Sequence, residues 1–228
     1  SVAAADLDGD GDMDLVSANL SSGDLTLLLQ DDEEPGVFSV AGQPLQVVGI
    51  PQCVAAADLN GDGLIDLVSA NTNSTNVYSS TDGNVTVFFQ VAAGIFDPDW
   101  TLLDVVGIPN HVAVADLDGD GDADIVSTDT LQNELEVFFQ VNPGIFAEPS
   151  LPLPTVASPL HVAVADLNGD GAMDLVSANL SDSLTIYFQD DPGSFVASDE
   201  SPLAAGATPY SVAAADLDGD GDMDLVSA

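Results

Sequence analysis

Asp6-Leu-Asp-Gly-Asp-Gly-Asp-Met-Asp14 is the stretch on which the reading of this chain turns. Near-identical copies begin at Asp58, Asp116, Asp166 and Asp216. Each places a carboxylate or an amide at its first, third, fifth and ninth positions and a glycine at its sixth (Gly11, Gly63, Gly121, Gly171, Gly221). Alternate residues of a tight loop turn their oxygens inward, glycine permits the sharp reversal, and the seventh residue offers its backbone carbonyl. Several carboxylates confined to a few ångströms repel one another unless a proton or a cation intervenes. The donors are hard oxygens throughout, so the expected cation is Ca²⁺, one per loop.

These loops differ from the helix-flanked calcium hand. The twelfth position of every copy is serine (Ser17, Ser69, Ser127, Ser177, Ser227), where that motif wants a bidentate glutamate. Each loop follows a Val-Ala-Ala-Ala or Val-Ala-Val-Ala run and precedes Leu-Val-Ser or Ile-Val-Ser, short β-branched stretches without helical periodicity. The loop is therefore expected at the tip of a β-hairpin.

Charge narrows the partners. The chain has 39 Asp and Glu and no Lys or Arg, giving a formal net charge of −39. More than half of the acidic residues lie in the five loops, where ion binding accounts for them. The rest still repel phosphate backbones and anionic lipid, which argues against nucleic acid and membrane partners. The apolar runs are too short to span a bilayer. Cys53 is the single cysteine and has no internal disulfide partner; Ser1, His111, His161 and Ser211 occupy the equivalent place, which reads as small and semi-buried.

The loops recur about every fifty residues, the period of a repeat architecture, with repeats starting near residues 1, 53, 111, 161 and 211 of one continuous array. A proline stands two residues ahead of the first strand (Pro51, Pro109, Pro159, Pro209). The second strand ends at Asn19, Asn71, Asp129 and Asn179, and a third is expected over Leu25–Gln30, Val85–Gln90, Leu135–Gln140 and Leu184–Gln189. That third strand is apolar on both faces, as befits a strand held between neighbouring sheets. A Gly-x-Phe turn follows (Phe38, Phe96, Phe146, Phe195), and a weaker, proline-rich fourth strand is expected at the outer edge. First strands built of Val and Ala and third strands built of large residues imply a taper, the mark of radial four-stranded blades.

Val-Ala-Val-Ala-Asp-Leu-Asp-Gly-Asp-Gly-x-x-Asp-Leu-Val-Ser with its Gly-x-Phe sequel resembles the FG-GAP or VCBS-type repeat of calcium-binding β-propellers, as in the integrin α-subunit head and many bacterial surface proteins. The resemblance covers essentially the whole chain. It implies four-stranded blades with Ca²⁺ in the loop between the first two strands. Carried over by position, the side-chain ligands are Asp6, Asp8, Asp10 and Asp14; Asp58, Asn60, Asp62 and Asp66; Asp116, Asp118, Asp120 and Asp124; Asp166, Asn168, Asp170 and Asp174; and Asp216, Asp218, Asp220 and Asp224. The carbonyl donors are Asp12, Leu64, Asp122, Ala172 and Asp222. Residues 1–18 and 211–228 are identical, whereas a ring closed by strand exchange needs ends that complete one blade. The duplication predicts a window on a longer all-β array with a super-repeat of about 210 residues, an open superhelix or filament of blades, with part of a closed propeller as the alternative.

The function expected is an extracellular, calcium-stabilised filament or stalk that self-associates; a calcium-dependent adhesin or carbohydrate-binding surface, using the stretches Asn71–Asn84 and Leu131–Glu134, is the second reading. Four sequons, at Asn19, Asn73, Asn84 and Asn179, fall in or beside the turn after the second strand and suggest a glycoprotein. His111 and His161 are read as polar caps at a blade end. No nucleophile, base and orienting group stand together, and the chain lacks the cationic groups a uronate lyase needs, so it is not read as an enzyme.

Overall fold

In the computed structural model, which describes residues 1–73, 83–148 and 150–228, every regular element is a β-strand. The first sheet orders β1 (Val2–Ala5), β2 (Asp14–Asn19), β3 (Asp24–Gln30) and β4 (Phe38–Val40), and β5 (Leu45–Gln46) also pairs with β3. The second takes β6 (Ile50–Ala57), β7 (Asp66–Thr72) and β8 (Gly83–Phe88); an outer hairpin of β9 (Gln90–Ala92) and β10 (Ile95–Phe96) follows, and β11 (Thr101–Val105) returns beside β8. The third repeats this plan with β12 (Pro109–Ala115), β13 (Asp124–Asp129), β14 (Glu134–Phe138), the hairpin β15 (Gln140–Asn142) and β16 (Ile145–Phe146), and β17 (Leu151–Pro154) beside β14. In the fourth, β18 (Pro159–Ala165), β19 (Asp174–Asn179) and β20 (Ser183–Asp191) are joined by β21 (Ser194–Ala197) and β22 (Leu203–Ala204), both on β20. A last hairpin pairs β23 (Val212–Ala215) with β24 (Asp224–Ser227). These are repeated, roughly four-stranded antiparallel blades.

Two expectations about strands need correction. The third strand does not run unbroken to its glutamine in the second and third sheets: β8 stops at Phe88 and β14 at Phe138. The break falls at Phe89 and Phe139, whose carbonyls accept from Asp97 N at 2.8 Å and Ala147 N at 2.7 Å, at the far end of the outer hairpin that follows. Pro51, Pro109 and Pro159 also belong to their strands rather than standing ahead of them, Pro109 and Pro159 as first residues, with register shifts between Pro51 and Cys53 and between Pro159 and His161 that absorb the missing donor.

The chain divides into two compact units, Ser1–Val112 with Asn142–Gly144, and Ala113–Val141 with Ile145–Ala228. In the first, Leu7, Val16, Ala18, Leu25 and Leu27 of one sheet bury against Val54, Leu67 and Phe88 of the next. In the second, Leu117, Val126, Leu135, Val137 and Leu153 pack on Val162, Leu175 and Tyr187, and the far face of that fourth sheet (Val176, Ala178, Leu184, Ile186) packs on Val212. A sheet covered on both faces has no solvent side, which is why β19 of the fourth sheet is buried at every residue; β7 and β13 are buried throughout as well. Burial of such side chains contributes about 1.5–3 kcal/mol each and is the main force holding blade to blade.

Candidate metal sites

Each acidic loop joins the first two strands of its sheet and is shaped by its own carboxylates. Asp6 accepts from the N–H groups of Gly9 (2.7 Å) and Gly11 (3.1 Å), one on each oxygen, while Asp8 Oδ1 accepts from Asp10 N and Asp10 Oδ1 from Asp12 N. The same pattern forms around Asp58, Asp116, Asp166 and Asp216. Such side-chain-to-backbone turns leave the second oxygens of the third and fifth residues free of backbone duty. The tight path needs left-handed backbone at two glycines, not one: φ is 78° at Gly9 and 97° at Gly11, and the fourth-place glycine was not singled out from sequence.

The ninth aspartate does more than close a shell. Asp14 is wholly buried and accepts from Leu7 N through Oδ2 and from Gln30 N through Oδ1, both at 2.8 Å. Asp66, Asp124 and Asp174 repeat this pair of bonds. One side chain thus ties the loop's base to the end of the third strand. Burial raises the Asp66 and Asp124 carboxyls to about 6, against the backbone bonds that lower them, and nearby loop aspartates add to the rise. Asp174 is raised for the same reasons.

The donor set fits calcium. Oxygens of Asp6, Asp8 and Asp10 lie within 4.8 Å of one another, as do those of Asp116, Asp118 and Asp124, and of Asp216, Asp218 and Asp224. Two oxygens on one Ca²⁺ at about 2.3–2.6 Å are at most about 5 Å apart, so these groups match. Burial and then the Asp14 and Asp10 charges raise the Asp8 carboxyl, and burial raises Asp118. A dication would relieve both. The second and fourth loops carry asparagine at the third place, where Asn60 and Asn168 donate an amide N–H to Asp62 and Asp170 at 3.1 and 2.9 Å. Side chains at the seventh place vary among Asp12, Leu64, Asp122, Ala172 and Asp222, whose N–H groups each donate to the fifth-place aspartate.

Sequence reasoning missed four participants. The second-place leucines are core plugs: Leu7 and Leu117 are 0% exposed. The glutamine after the third strand is a latch on the sheet before it, since Gln90 Nε2 donates to Leu7 O at 2.7 Å and Gln189 Nε2 to Leu117 O. Asp32 stands beside Asp10, and the hydrogen bond between their carboxyls lowers Asp10, after its backbone bond, and raises Asp32. The twelfth-place serine also has a role, with Ser17, Ser69 and Ser177 each donating to an asparagine two residues on. All but Asp32 were visible as repeating letters, without their roles.

The sequon asparagines are mostly interior. Asn179 is 0% exposed and donates to Thr185, and Asn84 lies in β8 rather than in a turn, 4% exposed, donating to Val48 O. Asn19 spends its amide on Asp24 and Thr26. A glycan on any of these would break a buried bond. Asn73 is exposed, but the rest of its sequon and most of the Asn71–Asn84 stretch lie outside the described residues. His111 and His161 are not end caps; both are half-buried inside β12 and β18, and burial lowers the His161 pKa. Cys53 is 4% exposed, more buried than expected, and Ser1 Oγ lies 3.7 Å from its Sγ.

Residues 3–69, 116–177 and 166–227 match the FG-GAP-like repeat. Two crystal structures of BBS1N in complex with ARL6DN, one soaked with mercury and one with lead, share the fold with TM-scores of 0.59 and 0.58 at 14% identity, which relates the blades to a β-propeller. They cover 91% and 92% of this chain and 54% and 55% of the matched chains, so the chain spans about half the length of those relatives. No curated protein matches it in sequence.

Proposed function

The chain belongs to the FG-GAP-like repeat family, and on that premise we propose that it is a calcium-stabilised structural array of blades that self-associates into a filament or stalk outside the cell. It is a structural module rather than a catalyst, as repeats of this kind are. The observation that carries the reading is the pair of latches, in which Gln90 and Gln189 each seize the carbonyl beneath the preceding sheet's acidic loop. An ordered loop is then a condition for ordered stacking, which ties calcium to rigidity. The extracellular setting belongs to the same proposal: extracellular calcium modules work at roughly 10⁻⁴ to 10⁻³ M Ca²⁺, a range available outside a cell.

Electron microscopy and sedimentation of the purified chain with calcium and with chelator test this. Elongated assemblies that need calcium are expected; compact monomeric discs under both conditions would remove the filament reading. Calcium-dependent retention on a glycan array, with no self-association, would favour the adhesin instead.

A further inference from the structure

The third sheet departs from its siblings at one place. Where the second strand faces the third, the first, second and fourth sheets hold a polar trio built on an asparagine. Asn19 Nδ2 donates to Asp24 and Thr26, Asn71 Nδ2 to Asn84 and Thr86, and Asn179 Nδ2 to Thr185. The registers are equivalent: Asn19 is opposite Asp24, Asn71 opposite Asn84, Asn179 opposite Ser183, and Asp129 opposite Glu134. In the third sheet the trio is Asp129, Glu134 and Glu136.

That substitution removes the donor at the centre and supplies acceptors only. Oxygens of the three side chains lie within 4.8 Å of one another, with Asp129 0% and Glu136 5% exposed. Ser150 hydrogen-bonds the Glu136 carboxylate, yet Glu136 Oε2 is buried without a hydrogen-bond partner. Asp129 Oδ1 accepts from Leu131 N and Gln132 N and so is fixed in place by its turn. On the other side, the residues opposite Glu134 and Glu136 are Pro154 and Pro152, which have no N–H to give. The chain has no Lys or Arg to neutralise the group. Buried carboxylates in such surroundings need a proton or a cation, and above neutral pH the cation is the available one.

We propose that Asp129, Glu134 and Glu136 form a further binding site for a hard divalent cation of the calcium class, between β13 and β14 and separate from the five loops. The ion takes the place of the asparagine amide that links the two strands in the sibling sheets. The half-buried Glu134 is its route to solvent.

Calcium binding to the whole chain, measured by equilibrium dialysis at pH 8 up to about 5 mM Ca²⁺ to reach weak extracellular-type sites, tests the assignment. The comparison protein carries Asp129→Asn, Glu134→Ser and Glu136→Thr together, a trio this fold already accommodates in its fourth sheet. The wild type is expected to bind one more ion per chain at saturation, and the triple variant to melt higher than wild type in chelator. Equal ion counts would overturn the proposal, whatever the loops do, because the loops are common to both proteins. Glu136→Gln, which keeps the shape and an oxygen donor but removes one charge, guards against misfolding of the triple variant: the additional ion should bind it more weakly, and an unchanged affinity for that ion would also overturn the site.

Discussion

Residues 1–18 and 211–228 spell the same eighteen letters and sit in different surroundings. Both fold as the same hairpin, β1 on β2 and β23 on β24, in the same register. Their burial is nearly a photographic negative. In the first copy Leu7 and Val16 are sealed and Val2 is open; in the last, Val212 is sealed while Leu217 and Val226 are open. Asp14 binds two backbone N–H groups, one of them on β3, whereas Asp224 binds Leu217 N. Local sequence therefore decides the hairpin and its loop, and the neighbouring sheet decides what that hairpin is worth in energy.

The broadest attempt to break this contrast is to strip calcium. At about a hundredfold excess over its dissociation constant each site contributes about 2.7 kcal/mol, so several together should move the melting temperature by tens of degrees. Hydrogen exchange should show protection lost at both ends, since both carry the same loop; protection of residues 14–17 persisting in chelator would mean that packing alone holds them. The loss should be greater at pH 8 than at pH 5. Asp66 and Asp124 are raised to about 6 by burial, so without a cation the folded state holds more protons than the unfolded chain between about 4 and 6, and stability falls as pH rises through that window. With calcium bound the proton is displaced and the slope should flatten or reverse.

Leu7→Ala and Leu217→Ala sharpen the comparison most directly. The first should cost about 2–5 kcal/mol in urea unfolding, the second less than about 0.5 kcal/mol, although the residue and its neighbours in sequence are the same. Asp14→Ala and Asp224→Ala, compared in chelator to set ligation aside, should differ less. The first strands the buried Leu7 N–H, at about 1–3 kcal/mol, and the part-buried Gln30 N–H at less, and the second strands one exposed donor that water can satisfy. Smallest, and opposite in direction, is the pair Val212→Ala and Val2→Ala: about 1–2 kcal/mol at the sealed position and a few tenths at the open one. Equal costs within any pair would refute the account.

The contrast also marks what could be read from letters. Strand order, hairpin loops and the repeat were legible because periodicity, turn residues and oxygen spacing act locally. The apolar third strand of the fourth sheet correctly announced a sheet covered on both faces. Asn84 was misplaced, and Asn19 and Asn179, rightly put at the end of the second strand, were read as open to glycans, because polar residues next to Ser and Thr look like turns and nothing local says that neighbouring strands will enclose them. The latches of Gln90 and Gln189 were invisible for the same reason: their acceptors lie far away in the chain. Asp129, Glu134 and Glu136 were legible only as letters until the register placed them side by side.

The latches also point one way. Gln90 and Gln189 reach back to an earlier sheet's leucine carbonyl, while Gln30, in the first sheet, folds its side-chain oxygen onto Gly36 N instead. The first and third loops are each clamped by what comes after them. Within each unit, tension or heat should then work like a hand on a zip, freeing the later sheet before the earlier one and giving the molecule a direction of failure.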